Sequence, residues 1–441
     1  MKAESTLPPT ADAALGWQVL EELVRERSLL AALGTMHEHL GDVFRISLPN
    51  FNPVVGVGPE ANRTILVTER ERFCWRTDTD PVTRLLRHGL LVEDGESHRY
   101  LRQHLEPALQ RPQVTRHVDA MRRYTDAVTA GWQDGTTVDM LVEMRRAALL
   151  ILVGTLFGVA LGPHLDALWS HILRLLDYIG PGFWIVWPTM PRPGYRRAIQ
   201  TVDNYLLQII RQRRQNGGRA DDLLGRLVRQ PHLSDELIRD QLLTMLIAGH
   251  DTSTALLAWT LYLLGRHPDV MAQVRAEVDE VLGVTPPASA THVARVSLLD
   301  QVIKETLRLY PPIHVGNRTA ATDVHLQGYD VPAGTRVMLS IYLSHRHPAY
   351  WSEPSRFCPA RFDSEPAHKQ PPLTYVPFGG GPRYCIGAAF AQVEARTVLA
   401  RLLQTFEFEL VSDKVRPHMG ATLEPRPGVF MRVKRRRDTH G

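Results

Sequence analysis

The sequence is poor in cysteine, poor in lysine and without a long apolar run. Its 441 residues hold three cysteines, Cys74, Cys358 and Cys385, an odd and sparse set that excludes a disulfide framework and fits a reducing cytoplasm. Five lysines stand among 51 basic residues, so arginine carries nearly all the positive charge. Formal net charge is only +4, and the tail "RVKRRRDTH" reads as a solvated terminus, so no nucleic-acid partner is expected. The start, "MKAESTLPPTADAALGW", has no apolar targeting core. The most apolar stretch, Ala147 to Leu161, is shorter than the roughly 20 residues a membrane span needs. It reads as a buried core helix, and no transmembrane anchor is expected.

What is present is ordinary globular material: 44% hydrophobic and 22% charged residues, enough to bury a large core. No repeat, low-complexity block or linker divides the chain, so 1–441 reads as one domain, mainly α with small β-sheets. "LGWQVLEELVRERSLLAALGTMHEHLG" reads as one amphipathic helix closing on a glycine, followed by the strand-like pair "VFRISLP" and "PVVGVG". From about Arg99 to Arg275 the pattern is almost continuously helical. Beyond Pro311 it turns to strands and a Pro-rich meander, and helix returns after Cys385. The longest helix is expected from Ser234, a plausible N-cap followed by Asp235 and Glu236, to Gly265, with His267-Pro268 as the stop.

The middle of that helix reads "LIAGHDTSTAL". Glycine costs about 1 kcal/mol in a helix interior, and Ser, Thr and Asp compete for backbone hydrogen bonds. Proteins break local rules in this way mainly where a site needs it. A kink satisfied by Thr252, or a patch facing water, is the blander alternative. "KETLRLYPP" sets Glu305 and Arg308 on one helix face, by itself a routine surface ion pair. "ESHRYLRQHL" sets His98 and Arg102 one turn apart, by itself a solvated basic face. "FCPARF" and "GNRTAATDVHL" contribute Arg361 and Arg318.

"PFGGGPRYCIG" is more specific. Gly379, Gly380 and Gly381 allow the backbone to turn tightly and approach a flat object. Cys385 then stands near the positive N-terminus of the next helix, a position that lowers a thiol pKa and favours thiolate. Such a sulfur serves as a nucleophile or as a soft metal ligand. The adjacent sequence supplies no base for a nucleophile.

Phe378 to Gly387 matches Phe-x-x-Gly-x-Arg-x-Cys-x-Gly and resembles the haem-binding loop of the cytochromes P-450. "AGHDT" resembles the oxygen-binding kink of that family's long central helix. Glu305-x-x-Arg308 with Arg361 resembles its ion triad, and His98-x-x-x-Arg102 the propionate-binding pair of its soluble bacterial members. The motifs follow in family order from about residue 30 to residue 434. The resemblance implies a helical bundle around haem b, with Cys385 as the iron ligand favouring O–O cleavage. It implies Arg383, Arg318, Arg102 and His98 on the propionates, Phe378 beside the sulfur, and Gly381 and Gly387 making room for the porphyrin. Glu305, Arg308 and Arg361 would form a buried structural network. Asp251 and Thr252 would position and deliver the protons that dioxygen cleavage requires.

The implied activity is a haem-thiolate monooxygenase acting on O2 and a small hydrophobic substrate, a fatty acid or terpenoid. Candidate pocket residues are Leu243, Ile247, Ala248, Val315 and Met419. Tyr178, Phe183, Trp184, Trp187 and Tyr195 would form a mobile roof or ordinary packing between helices. With no reductase expected in the chain, electrons would come from a separate ferredoxin or flavodoxin with its reductase. Two alternatives keep other classes open: a peroxide-driven or isomerase-type enzyme of the same fold, and a non-catalytic haem sensor. The Asp251-Thr252 pair argues against both.

Overall fold

The computed structural model describes residues 6–75, 77, 80–182, 192–217, 221–283, 286–287, 289–363 and 370–436. Its longest element is the central helix, Asp235–Arg266, 32 residues capped by the Ser234 hydroxyl, which accepts from Leu237 N at 3.2 Å. Asp235 and Glu236 occupy the first turn, against the positive end of the helix dipole. From Gln241 to Leu264 every side chain on it is buried except at Ala248, Gly249 and Thr252. A helix that is buried all round is a core helix. Helices Met140–Leu152, Tyr195–Gln215, Ser297–Leu309 and Ala388–Thr405 pack against it. Gly249 is where Met140–Leu152 comes closest: a Cβ there would stand 2.4 Å from Leu152 Cδ1.

Among the described residues, four small sheets flank this helical mass. The largest has five strands in the order Val43–Arg45, Val54–Gly56, Arg336–Ser340, Val315–Ala320, Phe73–Cys74. Only its Val54–Gly56/Arg336–Ser340 pair is parallel. Thr137–Asp139, Phe430–Arg435 and Phe406–Leu410 form a three-stranded sheet. Arg416–Met419 pairs antiparallel with Leu423–Arg426, and Val324–Leu326 with Tyr329–Val331. Among the described residues no helix is long and apolar enough to cross a membrane.

The expectation of one N-terminal helix fails in one place. The chain forms Ala13–Glu26 and Leu29–Leu40, broken where Arg27 takes φ 50°, a left-handed conformation that no helix continues. Gly41, at φ 86°, closes the second helix as its glycine suggests. The apolar stretch from Ala147 likewise divides, into helix to Leu152 and a π-turn Val153–Phe157. "SIYL" ends its strand at Ser340 and turns into the short helix Ile341–Ser344.

The segment before Cys385 is held by a buried ion network. Glu305 and Arg308 have no exposed side-chain surface and pair through two bonds of 2.7 and 2.8 Å. The remaining Arg308 donors reach the carbonyls of His345 (2.9 Å), Pro354 (2.7 Å) and Arg356 (3.1 Å). Glu305 Oε1 also accepts from Cys358 N at 2.9 Å and Arg361 Nε at 3.4 Å. The surface ion pair that the motif suggests in isolation is therefore excluded. Arg308→Met should strand the Glu305 carboxylate and cost about 3–5 kcal/mol. Arg432→Met, at an exposed pair with Glu409 of 2.8 Å, should cost under about 1 kcal/mol. Urea midpoints of the two variants check this, and similar small losses in both would refute it.

Candidate functional site

The cysteine loop closes on a backbone bond from Cys385 N to Phe378 O at 2.9 Å. The Phe378 and Tyr384 rings lie 6.3 Å apart within it. Gly381 takes φ +64°, and a Cβ there would meet Leu66 O at 2.2 Å, so the loop tolerates only glycine at that turn. Gly387 caps helix Ala388–Thr405, and a Cβ on it would point at Cys385 Sγ, 3.9 Å away. Cys385 is solvent-accessible, yet burial pushes its thiol pKa up, with Gly387 N–H and Arg102 pulling the other way. The expected lowering of the thiol pKa is thus corrected: in the chain alone, dehydration outweighs the helix end.

Cationic groups from separate segments converge on this loop. Arg102, on helix Gly95–Leu109, donates to Tyr384 O at 3.0 Å. Arg383 binds Glu93 O and Asp94 Oδ1. Arg383 and Arg318 stand over the same ring, Trp75, with Cζ 5.1 and 3.7 Å from its centroid. His98 is buried, and its pKa falls to about 4, first through burial and then through Arg383, Arg102 and Arg99. Arg383, Arg102 and Arg99 act on this imidazole while paired with Asp94, Glu106 and Glu96. Glycines at the loop's tight turns, a desolvated sulfur and converging arginines fit a flat porphyrin carrying two propionates. Trp75 was not legible in the sequence, because nothing local marks an aromatic that two distant arginines share.

On the central helix, the Thr252 hydroxyl donates to Ala248 O at 2.7 Å. The helix is continuous through this point. Ala248, Gly249 and Thr252 share one face, which makes their partial exposure a window in an otherwise buried helix. Asp251 is turned away from water and fully bonded: Oδ1 accepts from Arg145 Nη2 at 3.1 Å, Oδ2 from the Thr422 hydroxyl at 2.8 Å. The same Arg145 nitrogen binds Glu424, and Glu424 pairs with the exposed Arg426 at 2.9 Å. His250 is wholly buried, its pKa held at about 4 mainly by burial.

Of the apolar candidates, Leu243 is wholly buried and Ile247 nearly so, whereas Ala248, Val315 and Met419 keep partial exposure. Leu423 N donates to Pro312 O at 2.9 Å, which seats the Met419 hairpin beside the segment leading to Val315. Tyr178 and Tyr195 stack at 3.7 Å. Phe183, Trp184 and Trp187 lie outside the described residues.

Glu394 was missed as well. It sits on helix Ala388–Thr405, wholly enclosed, 2.5 Å from the Ser253 hydroxyl, and burial raises its pKa to about 8. Its signal is an acid inside the apolar helix "AAFAQVEARTVLARLLQ". The folded chain keeps a proton on Glu394 that the unfolded chain releases above its ordinary value of 4.5. Stability from this group is therefore full below that value and declines as pH rises toward about 8. Glu394→Gln should gain on the wild type by up to about 1.4 kcal/mol per pH unit across that window. Denaturant midpoints at mildly acid and mildly alkaline pH test this; an equal offset at both would count against it.

Residues 14–432 match the family model described as Cytochrome P450. The chain is similar to the cyclooctat-9-en-7-ol 5-monooxygenase of Streptomyces melanosporofaciens, 31% identical over 90% of this chain and 87% of that protein. It is similar to the pentalenene oxygenase of Streptomyces avermitilis, 30% identical over 92% of each. Among solved structures, the cytochrome P450DA heme domain superposes with a TM-score of 0.87 at 27% identity, covering 98% of each chain. With the loop, the cations and the buried central helix already in place, a match of this extent makes the chain a member of the cytochrome P450 family, a haem-binding monooxygenase.

Proposed function

We propose that this P450, as a single domain in the cytoplasm, inserts one oxygen atom from O2 into a terpenoid. A separate ferredoxin or flavodoxin with its reductase would supply the electrons. The observation that carries this reading is the window on the central helix, where Ala248, Gly249 and Thr252 are accessible and a buried acid, Asp251, stands next in sequence.

When bound, cysteinate-ligated haem supplies the oxidising chemistry. Cys385 would hold the iron as its thiolate. Arg102, Arg318, Arg383 and His98 would hold the propionates by charge-assisted hydrogen bonds, with Phe378, Gly381 and Gly387 shaping the loop around the sulfur. The Thr252 hydrogen is engaged by Ala248 O, so its oxygen lone pairs are what it offers to the window. Asp251 reaches that side only by leaving Thr422 or Arg145. Release from Arg145 leaves the guanidinium paired, because the same nitrogen also binds Glu424, while Asp251 must find a partner on the window side. Arg426, exposed and paired with Glu424, ties this network to the surface; the two guanidiniums hold the carboxylates in place and carry no proton themselves.

An apolar substrate suits Leu243, Ile247, Ala248, Val315 and Met419, none of which carries charge. Two relatives named for oxidising cyclooctat-9-en-7-ol and pentalenene support the terpenoid class over the fatty acid. The test is turnover on a terpenoid panel with a surrogate ferredoxin and reductase. Thr252→Ala should keep consuming electrons while product per electron pair falls roughly a hundredfold, the lower end of what a side chain positioned for proton transfer contributes. Unchanged coupling in Thr252→Ala would overturn the mechanism, and no turnover on any terpenoid would overturn the substrate class. Cys385→Ala should abolish the far red-shifted Soret band of the reduced, carbon monoxide-treated protein; a band that persists would remove Cys385 as ligand.

A further inference from the structure

The helix Ala13–Glu26 buries one of its 14 residues, Leu15. A surface helix of a globular protein turns its apolar stripe inward; this one packs Leu15 and Val19 inward and carries a second apolar row facing out. Trp17, Leu20 and Val24, at i, i+3 and i+7, are 67%, 45% and 68% exposed. With Leu7 and Leu29 they make five of the eleven large hydrophobic side chains exposed among the described residues. Scattered exposed apolar residues are normal, but nearly half of them within one short terminal segment is a patch.

Cations border that patch. Val24 also lines a cleft of about 540 Å³ together with Arg25, Arg27, Lys414, Arg416, Arg426 and Pro427. Arg25 is paired with Glu22 and Glu26, and Arg426 with Glu424. Among the described residues no ion pair occupies Arg27, Lys414 or Arg416, all of them exposed. The polar residues of the helix itself are mostly acidic, Glu21, Glu22 and Glu26 against Arg25, so the positive charge comes from the cleft beside it, where unpaired cations edge an outward apolar row as they do at a membrane interface.

We propose that this face docks reversibly on an anionic phospholipid bilayer. Trp17, Leu20 and Val24 enter the boundary between headgroups and acyl chains, and Arg27, Lys414 and Arg416 face lipid phosphates. The stripe runs along the flank of a helix, so a bilayer covers it without shape complementarity, which a protein partner would need. The proposal stands apart from the catalytic reading but has a consequence for it. The hairpin that lends Arg416 and Arg426 to the cleft turns Thr422 onto Asp251, so the docked face adjoins the substrate side of the protein.

The test is co-sedimentation of the haem-loaded protein with vesicles of phosphatidylcholine alone and of phosphatidylcholine with about one-third phosphatidylglycerol. Binding should be confined to the anionic vesicles and weaken with salt. Neutralising Arg27, Lys414 and Arg416 together to glutamine should weaken it about a hundredfold, at about fivefold per cation near an anionic surface. The double variant Trp17→Ser, Val24→Ser should weaken it independently. All five positions are exposed, and an unchanged melting temperature and haem spectrum would show that the variants fold. No binding to anionic vesicles at low salt, or binding indifferent to both sets of changes, would overturn the proposal. Loss of electron transfer from an acidic ferredoxin in the glutamine variant, with vesicle binding intact, would assign the cations to a protein partner instead.

Discussion

Arg308 is a guanidinium that water does not reach, and the placement of Cys385 depends on it. A buried cation is tolerable only when its charge and its donors are all met. Here the Glu305 carboxylate takes the charge, and three carbonyls from a single stretch, His345 to Arg356, take the remaining donors. That stretch is thereby fixed against helix Ser297–Leu309. His345 passes the constraint on: its Nε2 accepts from Val376 N at 2.8 Å, just before the cysteine loop begins. Acting as an acceptor keeps that nitrogen unprotonated, in line with a pKa lowered to about 3, chiefly by burial and then by Arg308. The loop then closes through Phe378 and Cys385. Position at the sulfur is thus inherited, bond by bond, from an ion pair well removed from it in sequence.

Much of this was legible in the sequence where the signal is local. The central helix announces itself through Ser234, its acidic first turn and His267-Pro268, and its bounds in the structure agree with those marks. The cysteine loop is a contiguous motif. The break at Arg27 was not legible, since "VRERSLL" contains neither glycine nor proline to mark a left-handed turn. The partners of Asp251 were hidden for a different reason. Arg145 and Thr422 lie 106 and 171 residues away in sequence, and no periodicity links a helix residue to one in a hairpin. The thiol pKa failed on the same ground: helix position can be read from sequence, while dehydration by the folded chain cannot.

The two sides of the site treat charge in opposite ways. Near Cys385 guanidiniums from separate segments converge on one loop, beside a His98 whose pKa is lowered first by burial and then by them. Around Asp251 two carboxylates share one nitrogen of Arg145. Converging cations suit a bound dianion, which they hold in place. A shared cation suits a group that must move, because either carboxylate can leave without stranding the guanidinium. One arrangement fixes and the other permits exchange, and the requirements of binding a cofactor and of passing a proton differ in the same sense.

The polar patch on the central helix is therefore less anomalous than its composition suggests. Gly249 admits the neighbouring helix, Ser253 faces the protonated Glu394, and Thr254 bonds back to His250 O at 2.8 Å. Asp251 is held from outside the helix altogether. Once these costs are met by packing and by partners, Thr252 is left with an engaged hydrogen and an accessible oxygen. A hydroxyl in that state neither needs a further acceptor nor disrupts its own helix. It can accept from whatever enters the window, which is the one capacity that the buried side chains around it lack.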